Sequence, residues 1–507
     1  MPAHLYQELQ RGFRDPEAVA FQSPDGKRMT FGDLDRATAR AANALIGLGV
    51  KPGDRVAVQV EKSLGAVLLY LGAIRAGGVF LPLNTAYTPA EVGYFVGDAE
   101  PRVFFCDPAK RDGLKDALAG VERVETAGSK GDGTLAALLD DADDVDPGVE
   151  RGPDDLAGIL YTSGTTGRSK GAMLSHENLA SNARTLVEAW RFTAADTLVH
   201  ALPIYHTHGL FVAINTLLMA GGRTIFLPRF DADEVMAQMA QATSMMGVPT
   251  FYTRLLEHSG LNRESTAHMR LFVSGSAPLL AETHRAWQAK TGHAILERYG
   301  MTETNMNTSN PYEGDRIPGT VGFPLPGVAL RVTDPESGTP LPQGEIGVIE
   351  VRGPNVFKGY WRMEEKTRAE FRPDGFFITG DLGRVDERGY VHIVGRGKDL
   401  VITGGFNVYP KEVEGEIDAM PGVIESAVIG VPHPDFGEGV TAVVVREKAA
   451  DLTEAMVVAA LERRLAKFKQ PKRVIFVDDL PRNAMGKVQK NVLRERFGSL
   501  YAKGAQG

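Results

Sequence analysis

The chain of 507 residues holds a single cysteine, Cys106. One thiol excludes an internal disulfide and fits a reducing compartment. Long hydrophobic runs are missing as well. The most apolar stretches are Ala66 to Ile74, stopped by Arg75, and Gly209 to Ala220, which contains Asn215. Both fall short of the roughly 20 residues a bilayer span needs. No amino-terminal signal pattern appears, because Met1-Pro2-Ala3-His4-Leu5 leads into mixed polar sequence. A cytoplasmic protein is expected. Excess positive charge is also absent: 56 basic against 64 acidic residues leave a net charge of −8. That balance argues against a nucleic-acid surface, and any acidic substrate must be captured by local cations rather than by the overall field. There is no internal repeat or low-complexity tract.

What is present reads as a globular enzyme too long for one core. Arg55 to Val60 reads as a strand, Ala66 to Ala76 as a helix and Val79 to Leu83 as a second strand, an alternation that points to parallel α/β layers. Asp140 to Asp155 carries eight acids with two prolines and two glycines, the mark of an exposed connector. Ile346 to Val351 and Phe376 to Val394 show short alternating strands, a small β-rich region. After Gly395-Arg396-Gly397-Lys398-Asp399 the pattern restarts: strands at Val423 to Val431 and Val440 to Arg446, a helix from Glu454 to Lys467, and a strand from Arg473 to Val477. The expectation is a large multi-layer α/β domain with a small β-rich subdomain over residues 1–397, and a smaller, mobile α+β lid over 398–507.

The densest chemistry lies at Tyr161-Thr162-Ser163-Gly164-Thr165-Thr166-Gly167-Arg168-Ser169-Lys170-Gly171, directly after the apolar run Leu156 to Leu160. Three glycines, five serine or threonine hydroxyls and a lysine fall within eleven residues. Glycine lets the backbone approach a ligand, hydroxyls and successive N–H groups wrap a polyphosphate, and Lys170 neutralises part of its charge. The spacing is not that of a Walker A loop. Downstream, Tyr299-Gly300-Met301-Thr302-Glu303 offers an aromatic for a base, a hydroxyl for a phosphate and a carboxylate for magnesium.

In order and spacing, these stretches resemble the adenylate-forming superfamily of acyl-CoA synthetases, luciferases and peptide-synthetase adenylation domains. The resemblance implies ATP, Mg²⁺ and coenzyme A as reactants. It places Thr162, Ser163, Gly164, Thr165, Thr166, Gly167 and Lys170 on the phosphates, Ala277 and Tyr299 on the nucleotide, and Thr162 and Glu303 at the metal. Thr302 and Glu303 then act in catalysis. Asp381, in Thr379-Gly380-Asp381, matches the ribose contact, Arg396 a ribose or phosphate contact, and Lys398 the hinge of the small domain. Gly404, Gly405 and Phe406 match the thiol-arm passage. Lys487, in Pro481 to Lys490, matches the lysine that meets the α-phosphate and the attacking carboxylate; on the sequence alone it reads as exposed and open to a lysine acyltransferase.

For the acid, the matching acyl segments read Ala201 to Gly209, Val248 to Arg254, Ser274 to Pro278 and Met301 to Asn310. Amino-acid-activating relatives place an aspartate about where His206 stands, so an amino acid is disfavoured. A fatty-acid tunnel would lack charge, whereas this set offers Arg254, His206, His208 and Ser274. An arginine fork suits a second carboxylate on the substrate. The whole run from Val56 to Tyr501 resembles the malonyl-CoA synthetases, most specifically at His200 to Gly209 and at Arg298 to Gly314. That resemblance implies malonate as the acid, with Arg254 on its distal carboxylate, Ser274 assisting, Met306 lining the pocket and His206 walling it and shifting between half-reactions. Methylmalonate is expected to be a slower substrate, since one methyl is worth only about 1–3 kcal/mol of discrimination. An aryl- or medium-chain acyl-CoA synthetase is the alternative. A luciferase-like oxygenase, a carrier-serving adenylation domain and a non-catalytic nucleotide binder are further ones.

Overall fold

The computed structural model describes residues 4–162, 169–403, 406–434, 436–462, 464–465, 467–483 and 486–501, except for the side chain of Asn407. Two compact units emerge: Met1–Ala329 with Val351–Phe377, and Leu330–Glu350 with Ile378–Gly507. The fold is mixed α/β, as the alternation of the first third implied.

In the larger unit one sheet runs Arg123–Thr126, Val103–Cys106, Arg55–Gln59, Val79–Pro82, Leu156–Thr162, Lys170–Ser175. The first five strands are parallel and the last returns antiparallel, so the glycine-rich loop joins the final two. Strand Val79–Pro82 is buried throughout, which is why its sequence is a continuous apolar run rather than an alternating one. The second sheet has a parallel centre, from Leu296–Met301 through Leu271–Ser274, Ser244–Gly247, Thr197–His200 and Arg223–Phe226 to Val19–Gln22. Its carboxyl ends therefore gather His200, Gly247, Ser274 and Met301, the edge at which open α/β sheets bind ligands.

Packing explains the local choices. Helix Leu64–Arg75 starts at Ser63, whose hydroxyl accepts from the Ala66 N–H, and is buried on nearly every side. Its last residue, Arg75, is buried too, with its guanidinium on Asp35 at 2.9 Å, Asp146 at 3.1 Å and the Tyr6 hydroxyl at 2.9 Å. Asp146 belongs to the acidic connector. Arg40 fastens that segment further by donating to the carbonyls of Leu139, Asp140 and Ala142, and Asn43 by donating to those of Asp143 and Val145. Behind the second sheet, Trp287 meets Tyr252 and Phe272 edge-on, each at 5.0 Å. Cys106 is buried and free, and burial pushes its thiol up to about 11.

The smaller unit carries the β-rich region and the C-terminal part together. Ala329–Thr333, Gly347–Arg352, Phe377–Val385 and Val391–Arg396 form a four-stranded sheet. Another sheet orders Phe406–Val408, Val401–Thr403, Gly437–Arg446 and Val423–His433, with Arg473–Val477 parallel to Gly437–Arg446. Helices Pro410–Asp418 and Glu454–Glu462 bury Val413, Ile417, Val457 and Leu461 against Val428, Val440 and Val444. The helix expected to continue to Lys467 is described only as far as Glu462, and Lys467–Lys469 is a separate 3₁₀ turn. Among the described residues no helix is long and apolar enough to cross a membrane.

Candidate functional site

Thr162 ends its strand with its hydroxyl 3.5 Å from Oε1 of Glu303. Glu303 lies in the turn closed by the Thr304 N–H on the Met301 carbonyl, and it is buried. The same Glu303 oxygen is 3.1 Å from the Tyr360 hydroxyl, which is 2.7 Å from Glu370. Glu370 in turn accepts from Lys170 at 3.3 Å and pairs with Lys366 at 2.7 Å, while the Lys170 ammonium sits 3.9 Å from the centre of the Tyr360 ring. Burial pushes the Tyr360 phenol far above its usual range, and the charges of Glu303 and Glu370 push it further. Burial also raises Glu370, but hydrogen bonds from Lys366 and Tyr360 and the charge of Lys170 hold it below the usual carboxylate range.

This arrangement suits a hard cation beside a polyphosphate. A hydroxyl and one carboxylate converge, and Mg²⁺ takes few protein oxygens, filling its remaining positions with phosphate and water. Among the described residues no cluster of three His, Cys, Asp or Glu could hold a metal, so such an ion would rest on Thr162, Glu303 and the ligand's own oxygens. Ser163, Gly164, Thr165, Thr166 and Gly167 lie outside the described residues. Tyr360 and Glu370 form part of this cluster although no motif flagged them.

A second cluster involves the carboxyl ends of the parallel strands. Residues His208–Ile214 form a π-helical turn, a form that often marks functional segments. A Cβ on Gly209 would lie 2.0 Å from the Pro203 carbonyl, so only glycine fits there. The Gly209 carbonyl is 2.7 Å from Nε2 of His200, whose Nδ1 is 2.8 Å from Nζ of the half-buried Lys62. Burial lowers the His206 imidazole to about 4 and keeps it neutral. His208 is lowered well below its usual range by burial, then by the charge of Arg298. Its Nδ1 is 3.2 Å from the hydroxyl of Ser276, whose backbone is held left-handed at φ 70°.

Of the other expected acyl residues, Ser274 is buried and its hydroxyl has no hydrogen-bond partner among the described residues. Met306 is buried, with its backbone pinned by the Asn182 amide at 3.0 and 3.3 Å. Ala277, Tyr299 and Thr302 are half-buried. Arg254 stands exposed in the last turn of helix Pro249–Glu257, whereas Tyr252 on the same helix is buried with its hydroxyl on the Val273 carbonyl at 2.6 Å. Arg298, one residue before Tyr299, is buried, and its Nε and Nη2 have no hydrogen-bond partner among the described residues. Burial lowers its guanidinium to about 9.

The smaller unit holds the remaining expected residues. Asp381 and Arg396 face each other across adjacent antiparallel strands, with Nε to Oδ1 at 2.9 Å. The Asp381 N–H donates to the Thr379 hydroxyl at 3.1 Å. Lys398 and Gly397 are exposed, and Asp399 is tied to Arg494 at 2.8 Å. Lys487 corrects an expectation: it is half-buried, not exposed. Gly486, at φ 71°, turns the chain before it, and the Lys487 N–H donates to the Asn483 side-chain oxygen at 3.0 Å. Burial, then the positive charge of Arg396, lowers the Lys487 amine to about 8. Phe406 is exposed and stacks on Phe468 at 4.7 Å; Gly404 and Gly405 lie outside the described residues.

Residues 9–361 match the family described as AMP-binding enzyme, and 412–487 match the AMP-binding enzyme C-terminal domain. The chain is similar to a malonate–CoA ligase of Arabidopsis thaliana, 34% identical across 93% of this chain and 85% of that one. It is also similar to a feruloyl-CoA synthase of Amycolatopsis, 36% identical across 97% and 98%. Among solved structures, ATP-bound MatB from Rhodopseudomonas palustris superposes with a TM-score of 0.97 at 65% identity, over 99% of this chain and 100% of that one. A benzoate CoA ligase from Burkholderia xenovorans LB400 superposes at 0.88 with 28% identity, over 97% and 100%.

Proposed function

We propose that this chain, which belongs to the AMP-binding enzyme family, joins malonate to coenzyme A with cleavage of ATP to AMP and pyrophosphate. The reaction has two halves: malonate attacks the α-phosphorus to give malonyl-AMP and pyrophosphate, then the coenzyme A thiol displaces AMP to give malonyl-CoA. The observation that carries this reading is the full-length likeness to ATP-bound MatB at 65% identity, joined by the Arabidopsis malonate–CoA ligase. A feruloyl-CoA synthase at 36% identity favours an aryl acid as the second reading. Buried polar groups at His208, Ser274 and Arg298 weigh against it, because an aryl ring would leave them unsatisfied.

In this reading Thr162 and Glu303 hold magnesium, which when bound neutralises phosphate charge. Lys170 exchanges its contact with Glu370 for phosphate oxygens, and Thr302 donates to the α-phosphate. Tyr299 covers the adenine and Ala277 lies against the nucleotide. Asp381 accepts from the ribose hydroxyls with Arg396 beside it. Arg254 and Ser274 serve the distal carboxylate, Met306 lines the acyl pocket, and His206 stays neutral as its wall. Lys487 supplies an ammonium to the α-phosphate during adenylation only. Residues 398–507 act as the lid, Lys398 as its hinge, and Gly404, Gly405 and Phe406 line the path of the thiol arm. Acylation of Lys487 by a lysine acyltransferase would remove its charge and stop adenylation. A cytoplasmic location belongs to the same proposal.

Pyrophosphate release across malonate, methylmalonate, succinate, acetate, octanoate and coumarate tests the substrate, with the thioester identified by mass. Malonate is expected to lead and methylmalonate to follow. Preference for octanoate or coumarate would overturn the reading.

A further inference from the structure

In the reading above Lys487 serves adenylation alone, so the place of its ammonium matters to one half-reaction. Its backbone is held on both sides. The Lys487 N–H donates to the Asn483 side-chain oxygen at 3.0 Å, and the Lys487 carbonyl accepts from the Asn483 N–H at 3.0 Å. The carbonyl just before it, that of Gly486, accepts from Nη1 of Arg482 at 2.6 Å. Arg482 also bridges antiparallel to Val488, and the Gln489 N–H donates to the Pro481 carbonyl at 2.8 Å. Arg482 and Asn483 together fix the peptide that carries Lys487.

The other end of the Arg482 guanidinium reaches the sheet. Its Nη2 pairs with Glu425 on strand Val423–His433, which is paired along its length with Gly437–Arg446. Both side chains are half-buried, so the pair is screened less than one on the open surface. Beyond Lys487, Lys490 opens helix Lys490–Phe497 with its ammonium on the buried Glu414 at 2.6 Å. Glu414 also accepts the Val428 N–H of that same strand at 2.8 Å. An ion pair therefore stands at each end of the Lys487 run, but the two differ in what they hold. Lys490 fastens a helix. Arg482 joins the sheet to the carbonyl beside Lys487 through one rigid planar fork, a link that a single ammonium on a flexible stem does not reproduce.

We propose that Arg482 is a positioning residue for adenylation: braced on Glu425, it holds the Gly486 carbonyl and so sets where the Lys487 ammonium lies. The inference rests on the assignment of Lys487 to adenylation and deepens it, giving a role to a residue of the run that had none. Misplacing a reacting or charge-donating group by about 1 Å costs on the order of 10²-fold. Thioester formation, which in this reading does not use Lys487, is expected to tolerate the change.

Two rates test this: pyrophosphate release from malonate and ATP, and thioester formation from supplied malonyl-AMP and coenzyme A. They are compared in Arg482→Ala, Arg482→Lys, Lys487→Ala and the double variant Arg482→Ala with Lys487→Ala. Arg482→Ala should lose on the order of 10²-fold in the first rate and change little in the second, and Arg482→Lys should recover part of the loss. Once Lys487 is replaced, removing Arg482 should cost nothing more, because a residue that acts only through another adds nothing after it is gone. Equal losses in both rates, or losses that multiply in the double variant, would mean a structural role and overturn the inference. Unchanged pyrophosphate release in Arg482→Ala would overturn it too, leaving the assignment of Lys487 intact. If Lys487→Ala itself slowed both rates alike, that assignment would fall and this inference with it. Should Arg482→Ala not fold, the same rates are read in Glu425→Gln, which keeps the bond to Gly486 but weakens the brace. A smaller loss confined to pyrophosphate release is expected there, and no loss, or loss in both rates, overturns the inference.

Discussion

Two clusters within the larger unit treat charge in opposite ways. Around Tyr360, Lys170 and Lys366 face Glu370, and the phenol links Glu370 to Glu303. In the cluster at the strand ends, His206 and His208 are neutral and Arg298 has no ion partner among the described residues. The first cluster is satisfied before any ligand arrives, so a nucleotide must exchange one set of contacts for another. The second is unsatisfied, and the free protein is less stable by the burial of that charge until an anion compensates it. The paired cluster favours order and the unpaired one favours discrimination.

The comparison breaks first if the paired cluster can lose a carboxylate without effect. Glu303→Gln is expected to lower pyrophosphate release on the order of 10²–10³-fold and to raise the magnesium requirement, read by titrating Mg²⁺. Lys487→Ala should slow adenylation by a similar 10²–10³-fold, while thioester formation from supplied malonyl-AMP changes much less. Both half-reactions falling together would remove the assignment of Lys487 to one of them.

A smaller effect is expected with pH. The Lys487 amine is lowered to about 8, so its ammonium prevails below that pH and is lost above it. Because kcat/KM for ATP reports the free enzyme, it should fall above about pH 8, and Lys487→Arg should abolish the fall. The sign for stability is the reverse of an ion pair's. A cation lowered from 10.5 weakens the fold wherever it is charged, fully below about 8, and less as pH rises.

The smallest effects sharpen the contrast through stability. Tyr360→Phe leaves Glu303 and Glu370 without a shared donor and should destabilise the fold by about 1–3 kcal/mol in urea. Arg298→Met, which removes a buried charge, should leave the midpoint unchanged or raise it. Opposite signs in the two variants support the contrast, and equal losses would erase it.

Much of this site was legible because it is contiguous. Thr162 with Lys170, Tyr299 with Glu303, and Thr379 with Asp381 each lie in one short run whose residue types announce phosphate, base or sugar. The strand Arg473–Val477 and the parallel layers could be read the same way, from β-branched runs and turns. What could not be read needed register or distance. Tyr360 meets Glu303 from 57 positions away in the chain. Gly275 and Arg298 are coupled only because neighbouring parallel strands bring them together, and Lys487 reads as exposed until Gly486 turns it inward. Arg254 reads as the arginine of an acyl segment, whereas Arg298 enters only as the first residue of a matching stretch, with no role attached to it.

The most direct test of the account is a crystal structure of the protein with malonyl-AMP, read at the distal carboxylate. The account predicts the distal carboxylate about 2.7–2.9 Å from a guanidinium, with Ser274 beside it. A distal carboxylate that meets no guanidinium would contradict it.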